Sequence, residues 1–252
     1  MKEYLQKLGK SLMMPISIIE AAWIFLGIAS VLQNPNIVGE GFVAISGVQN
    51  TIGFIRAIVG ALFGNLPILF AASVAIGLAK GEKTTAAFAA IIGFILFHVT
   101  ISYFLSLKGI TAATMSVESL IESGQSTLEA TRTASLYESV LGIFTYRMNV
   151  FGGVIVGMLV ATVHNRFYKT ELPMAISYFG GKRLVPIMTT VTVPILGILM
   201  YFIWPFLGKG IEGIGNLIAD SGAFGVFLFG AIERLLVPTG LHHILNQLVR
   251  FT

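Results

Sequence analysis

The stretch Thr84–Leu107, TTAAFAAIIGFILFHVTISYFLSL, runs for 24 residues without an Asp, Glu, Lys or Arg. As a helix rising 1.5 Å per residue it would reach about 36 Å, enough to cross a hydrocarbon core of about 30 Å. A chain that carries such a run must satisfy every backbone amide within the run, so the stretch predicts a transmembrane helix. The composition extends the conclusion to the whole protein: of 252 residues, 55% are hydrophobic and 11% charged, where soluble domains carry about 25% charged residues.

Outward from this run, the apolar segment Ala61–Ala79 precedes it across the short turn Lys80-Gly81-Glu82-Lys83, predicting two antiparallel spans. Ser11–Leu32, closed by Gln33-Asn34-Pro35, predicts a first span. Val150–His164, expected to extend back toward Phe144, predicts a fourth, Leu184–Leu207 a fifth and Ala223–Pro238 a short sixth. The fold class expected is therefore an all-α integral membrane protein of about six transmembrane helices plus interfacial amphipathic helices. Val43–Val59, which carries Gln49, Asn50 and Arg56, is expected at the interface. So is Gly208–Asp220, whose Ile211, Ile214, Leu217 and Ile218 fall at helical spacing on one face. Lys108–Arg147 has a middle rich in Ser, Thr and Glu and reads as a loop with one or two surface helices. The charged start MKEYLQKLGK leads straight into an apolar run without an A-x-A-like site, so the first span is expected to be retained. No repeat of solenoid type and no inverted second half is visible.

Cytoplasmic loops carry the excess of Lys and Arg. With the N-terminus inside, the first three inner segments hold nine: Lys2, Lys7, Lys10, Lys80, Lys83, Arg166, Lys169, Lys182 and Arg183. The longer outer segments hold five: Arg56, Lys108, Arg132, Arg147 and Lys209. The expected topology is N-terminus cytoplasmic. The sequence pI near 9.4 then reflects loop topology rather than a nucleic-acid surface, because the positive charges are spread and not clustered. With no cysteine, disulfides, thiolate metal sites and cysteine nucleophiles are excluded within the chain. No P-loop, HExxH or GxSxG motif is present, so autonomous ATP hydrolysis has no support. No metal ligand set or cofactor is expected.

Three small-residue pairs, Gly60/Gly64, Gly77/Gly81 and Gly153/Gly157, would let helices approach closely, although Gly is abundant enough for such spacings to arise by simple packing. Glu20 and His98, each inside a span, are either relay groups or locally satisfied polar residues. The segment Tyr178–Ile187, YFGGKRLVPI, joins two glycines to Lys182 and Arg183. It reads either as a positive-inside anchor or as a loop that meets a phosphate, since backbone amides and cations together suit that charge.

The segment Ala231–Gln247, AIERLLVPTGLHHILNQ, places Glu233, Arg234, His242 and His243 around the helix breakers Pro238 and Gly240. Broken helices at membrane depth are tolerated where they line protein or a polar cavity. Several fixed donors on Arg, acceptors on Glu, and one of each on neutral His suit a neutral polyol better than an ion.

Three blocks, LGKSLMMPISIIEAAWIFLGIASVL at Leu8–Leu32, SYFGGKRLVPI at Ser177–Ile187 and ERLLVPTGLHHILN at Glu233–Asn246, together resemble the membrane-embedded IIC domain of the bacterial sugar phosphotransferase system. Within its glucose superfamily, PTGLHH is most similar to the maltose and α-glucoside members. The resemblance implies a homodimer in the bacterial inner membrane that moves a maltose- or glucose-type sugar by an elevator-like movement. The sugar would be phosphorylated by a phosphocysteine on IIB, ultimately from phosphoenolpyruvate, which makes IIB a partner in trans. It also implies that Arg234 and His242, with Glu233 and His243 beside them, contact sugar, and that Lys182 and Arg183 belong to the loop linked with phosphorylation. No catalytic residue is assigned within the chain.

Residues 1–207 are expected to form the scaffold and dimer interface, and 208–252 the start of the transport domain. A complete IIC domain continues past the His-His pair into a Thr-Glu-Pro block, and none follows here. The expectation is therefore the N-terminal portion of such a domain, inactive alone. The competing expectations are a truncated, non-catalytic membrane scaffold that assembles with a permease, and a facilitator that works without phosphorylation.

Overall fold

The computed structural model describes residues 2–220 and 222–236. In chain order these hold α1 (Lys2–Leu32), the single turns α2 (Pro35–Val38) and α3 (Glu40–Val43), α4 (Ser46–Gly64), α5 (Leu66–Leu78) and α6 (Lys83–Ser106). Then come α7 (Val117–Glu122), α8 (Thr127–Ser135), the strands β1 (Tyr137–Val140) and β2 (Ile143–Tyr146), α9 (Asn149–Phe167), α10 (Leu184–Asp220) and α11 (Gly222–Leu236). The described residues are all-α apart from one antiparallel hairpin. Among the described residues four helices, α1, α6, α9 and the first part of α10, are long and apolar enough to cross a membrane, or five if α4 and α5 form one broken span.

Several of the expected element boundaries need correction. Ala61–Ala79 is not one helix: α4 ends at Gly64 and α5 begins at Leu66. Asn65 turns its side-chain amide back to the Ala61 carbonyl at 2.8 Å, and Pro67 biases the residue before it away from continuing a helix. Of Val43–Val59, expected as one amphipathic helix, Val43 closes α3 and Ser46 onward belongs to α4, which runs on to Gly64. The fourth span does not reach back to Phe144, which lies in β2. Gly208–Asp220 is no separate surface helix but the continuation of α10. An interior glycine costs only about 1 kcal/mol relative to alanine, so Gly208 and Gly210 do not stop a helix that also continues past Pro194 and Pro205. The expected short sixth span, Ala223–Pro238, corresponds to α11, with 15 residues from Gly222 to Leu236; its last two residues lie outside the described residues.

Two compact units divide the chain, Met13–Leu66 and the remainder. In the first, α1 ends where Asn34 caps α2, its Oδ1 accepting the Asn36 amide at 3.0 Å, with Pro35 at the first helical position. Gln49 and Arg56, seven residues apart and so on one face of α4, both reach the end of α1: Gln49 donates to the Leu32 carbonyl at 3.5 Å and Arg56 to the Gln33 side chain. Higher up, Trp23 and Phe63 meet with ring centroids 5.1 Å apart. Between α1 and α4 lies an apolar groove of about 410 Å³ walled by Phe25, Ile58 and Leu62.

In the second unit α6 is the axis. Ala86, Ala90, Phe94, Phe97, Ile101 and Leu105 are fully buried at the spacing of one helical face. Gly93 marks the place where α9 and α10 close on it: a Cβ there would lie 3.0 Å from Thr189 and 3.2 Å from Val160. The small-residue pairs now separate. A Cβ on Gly153 would stand 2.0 Å from the Pro67 carbonyl oxygen, and one on Gly157 2.6 Å from that of Ala71, so α9 lies directly on the backbone of α5. Around Gly60 and Gly64 a Cβ would meet nothing within 4 Å.

The hairpin pairs Glu138 with Thr145 and Val140 with Ile143, around Leu141 and Gly142, both at positive φ (52° and 79°), the geometry of a type I′ turn. Thr145 Oγ1 sits 3.2 Å from Nδ1 of the buried His98 in α6, whose ring meets Phe94 and Phe97 edge-on. His98 is thus a core residue partnered at Nδ1, while its buried Nε2 has no partner among the described residues. Tyr137 stacks on Phe144 and Tyr146, Tyr146 faces Tyr201, and the Lys108 ammonium lies 5.2 Å above the Tyr201 ring.

Candidate functional site

The end of the second unit from which α6 starts is the basic end. Lys80, Lys83, Arg166, Lys169, Lys182 and Arg183 are all exposed there, against Glu82 and Glu171. Four helix termini meet at this end, and each leaves backbone groups without intrahelical partners. The α5–α6 turn closes in four residues, 79–82, with Glu82 at φ 43°. Its polar backbone is satisfied by two neighbouring side chains of α9. Asn165 donates from Nδ2 to the Leu78 carbonyl at 2.9 Å and accepts the Lys80 amide on Oδ1 at 2.8 Å. His164, fully buried, holds Nε2 3.2 Å from the Glu82 carbonyl. A carbonyl only accepts, so Nε2 carries the proton.

Beyond α9 the chain folds back on the same helix end. Tyr168 stacks on His164 with centroids 5.0 Å apart and planes 14° from parallel. The Tyr168 ring also lies over Gly81, where a Cβ would be 3.1 Å from its Cε2. Two 3₁₀ turns, Met174–Phe179 and Gly181–Arg183, lead into α10. Between them Gly180 is extended and Gly181 adopts φ 62°, a value glycine tolerates without strain. The Gly181 amide donates to the Thr170 carbonyl at 2.8 Å. Arg183 donates to the Tyr178 carbonyl at 3.1 Å with its guanidinium 4.1 Å from the Tyr178 ring centroid. The Gly-Lys-Arg segment is therefore a folded turn that holds one cation by its side chain and presents Lys182 beside it. Exposed cations next to backbone turns are suited to an anion such as a phosphoryl group.

Of the residues singled out in the sequence, Lys182 and Arg183 come together in this turn. Arg234 is exposed in the last turn of α11. Glu233 lies in the same helix, its side chain outside the described residues, and His242 and His243 also lie outside them. Glu20 is exposed on α1. Among the described residues no group of three or more His, Asp or Glu is placed to hold a metal ion. The sequence reading passed over His164, Asn165 and Tyr168. Their one sequence signal is a His-Asn pair at the end of an apolar run, immediately before the charges Arg166 and Lys169.

The polar insertion carries two carboxylates with opposite environments. Glu138, partly buried between β1 and the start of α9, accepts the Met148 and Asn149 amides at 3.2 and 3.3 Å. Burial pushes its carboxyl above the ordinary carboxylate range, against the lowering effect of these amides and Arg147. Exposed Glu129 closes a capping box with Ser126 at the start of α8, and its hydrogen bonds from Ser126 hold it below that range. Burial likewise raises Tyr137, and pushes Tyr146 up to about 12.

Long apolar helices closing on one another through glycine, with a basic folded turn at one end, define a multi-pass α-helical membrane protein. The family model described as "Phosphotransferase system, EIIC" matches residues 9–252. The chain belongs to that family. It is 36% identical over 251 residues to the "PTS system maltose-specific EIICB component" of Escherichia coli (strain K12), covering 99% of this chain and 45% of that protein. It is 38% identical over 244 residues to the "PTS system glucose-specific EIICBA component" of Staphylococcus saprophyticus, covering 96% of this chain and 33% of that protein. The chain thus spans less than half the length of these curated relatives.

Proposed function

We propose that the protein is the membrane-embedded IIC component of a phosphoenolpyruvate-dependent sugar phosphotransferase system, binding a maltose- or glucose-type sugar and coupling its passage to phosphorylation by IIB. The observation that carries this reading is the match to the EIIC family across residues 9–252, and the exposed Lys182–Arg183 turn at the basic end is consistent with it. In this reading that end faces the cytoplasm of a bacterial inner membrane, with the N-terminus inside, and meets phosphorylated IIB. The protein is a homodimer. Residues 1–207 supply its scaffold, and 208–252 begin the transport domain. Arg234 and His242, with Glu233 and His243 beside them, form one wall of the sugar site.

The test is sugar phosphorylation by membranes carrying the full-length permease, with phosphorylated IIB supplied. His242→Ala and Arg234→Ala should each abolish phosphorylation while leaving the amount of inserted protein unchanged. Full phosphorylation by His242→Ala would remove the site assignment. Uptake that persists without IIB and phosphoenolpyruvate would indicate a facilitator instead.

A further inference from the structure

We infer that His164, Asn165 and Tyr168 are positioning residues for the Gly-Lys-Arg turn, fixing Lys182 and Arg183 where the phosphoryl group arrives. The inference rests on the reading of that turn as part of the phosphorylation machinery. Its own basis is a continuous set of contacts across the basic end. The α5–α6 turn is bonded to Asn165 through Leu78 and Lys80 and to His164 through Glu82. The His164 ring lies flat on Tyr168, and Tyr168 leads in two residues to Thr170, whose carbonyl takes the Gly181 amide. Arg183 is then fixed by Tyr178 within its own loop. The end of α9 is the hub through which two otherwise separate loops share one geometry.

Polar side chains at the buried end of an apolar helix are a costly way to join helices that already pack through alanine and glycine, because each must find its partners or be left unsatisfied. What they add is direction: a bidentate amide and a single imidazole N–H fix the α5–α6 turn, and the ring stack carries that position on toward the Gly-Lys-Arg turn. A displacement of about 1 Å at a reacting centre can cost on the order of 100-fold in rate.

The experiment uses the full-length permease with IIB supplied in trans, measuring kcat and KM for sugar phosphorylation and, separately, sugar affinity. Asn165→Ala and His164→Ala should each lower kcat about tenfold, with KM and sugar affinity unchanged within about twofold. His164→Gln, whose side-chain amide can still donate to the Glu82 carbonyl, should restore most of the loss. The second readout is a nitroxide on Lys182→Cys, clean within this chain because it has no cysteine. Its spectrum should narrow when Asn165→Ala or His164→Ala is added, and not with His164→Gln.

Lys182→Ala combined with Arg183→Ala separates the two levels. If that double variant phosphorylates normally, the reading of the loop fails and the positioning role falls with it. If it is impaired while Asn165→Ala and His164→Ala keep both kcat and the spectrum, the loop reading stands and the positioning role is overturned. Equal loss of sugar affinity and kcat, with His164→Gln no better than His164→Ala, would show a merely structural role and also overturn it.

Discussion

The two ends of α6 solve the same problem with different chemistry. Where α6 begins, the chain turns in four residues, and the backbone groups of the turn are satisfied by His164 and Asn165 at the end of α9. Where α6 ends, the chain leaves for about forty residues and returns through a hairpin whose tyrosines stack on one another and on Tyr201. Aromatic rings of this kind are favoured at membrane interfaces. There a single carboxylate, Glu138, takes the two amides that open α9. The comparison teaches that α9 is fastened at both termini by side chains acting on backbone groups, with basic loops at one end and aromatic cover at the other.

The sharpest way to break the comparison is to separate the backbones between the two ends. Gly153→Ala puts a methyl 2.0 Å from the Pro67 carbonyl oxygen. It is expected to destabilise the protein by about 1–3 kcal/mol, measured as unfolding in detergent. Gly60→Ala, where a Cβ meets nothing, should be neutral or stabilise by up to about 1 kcal/mol. Equal losses from both would contradict the close approach of α9 to α5.

A middle-sized effect is expected at the hairpin. Thr145→Val leaves the buried Nδ1 of His98 without its partner and should cost about 1–3 kcal/mol, whereas adding His98→Phe should recover much of it, because the unsatisfied group is then gone. A double variant no more stable than Thr145→Val would show that the contact does not dock the hairpin on α6.

The smallest effects are titrations of opposite sign within the insertion. The Glu138 pKa is raised in the folded protein, so its contribution to stability is present below the unfolded carboxylate value and is lost as pH rises through the folded one. The Glu129 pKa is lowered, so its contribution is present above the unfolded value and is lost as pH falls through the folded one. The stability that Glu138 contributes, measured as unfolding in detergent, should therefore grow as pH is lowered into the carboxylate range, and Glu138→Gln should flatten the change. Amide exchange at Glu129, after correction for intrinsic exchange, should accelerate over the same range in the native chain and not in Glu129→Gln. Matching signs would refute the distinction.

The long apolar runs were readable because periodicity and charge depletion are local. Thr84–Leu107 became Lys83–Ser106, and α1 stops at Leu32 before its breaker, as expected. The hairpin was not readable, since its turn uses Leu141 at positive φ, where Asn or Asp would have signalled it. The break at Asn65 was hidden by apolar residues on both sides, and the continuation of α10 by glycines that resemble a boundary. In the candidate site the cations of the Gly-Lys-Arg turn were visible as residues. The groups that hold the turn were not, because His164 and Asn165 act on backbone atoms 82 to 87 positions away, and a backbone partner leaves no pattern in side chains.

Glu138 ties the start of α9 to β1, Thr145 ties β2 to α6, and His164 with Asn165 ties the end of α9 to the turn from which α6 rises. The loop of constraints is closed. In mechanical terms α6 and α9 form a braced frame: shearing one against the other would have to break hydrogen bonds at both ends in the same event. Under load, α6 and α9 would therefore move together as one piece or not at all.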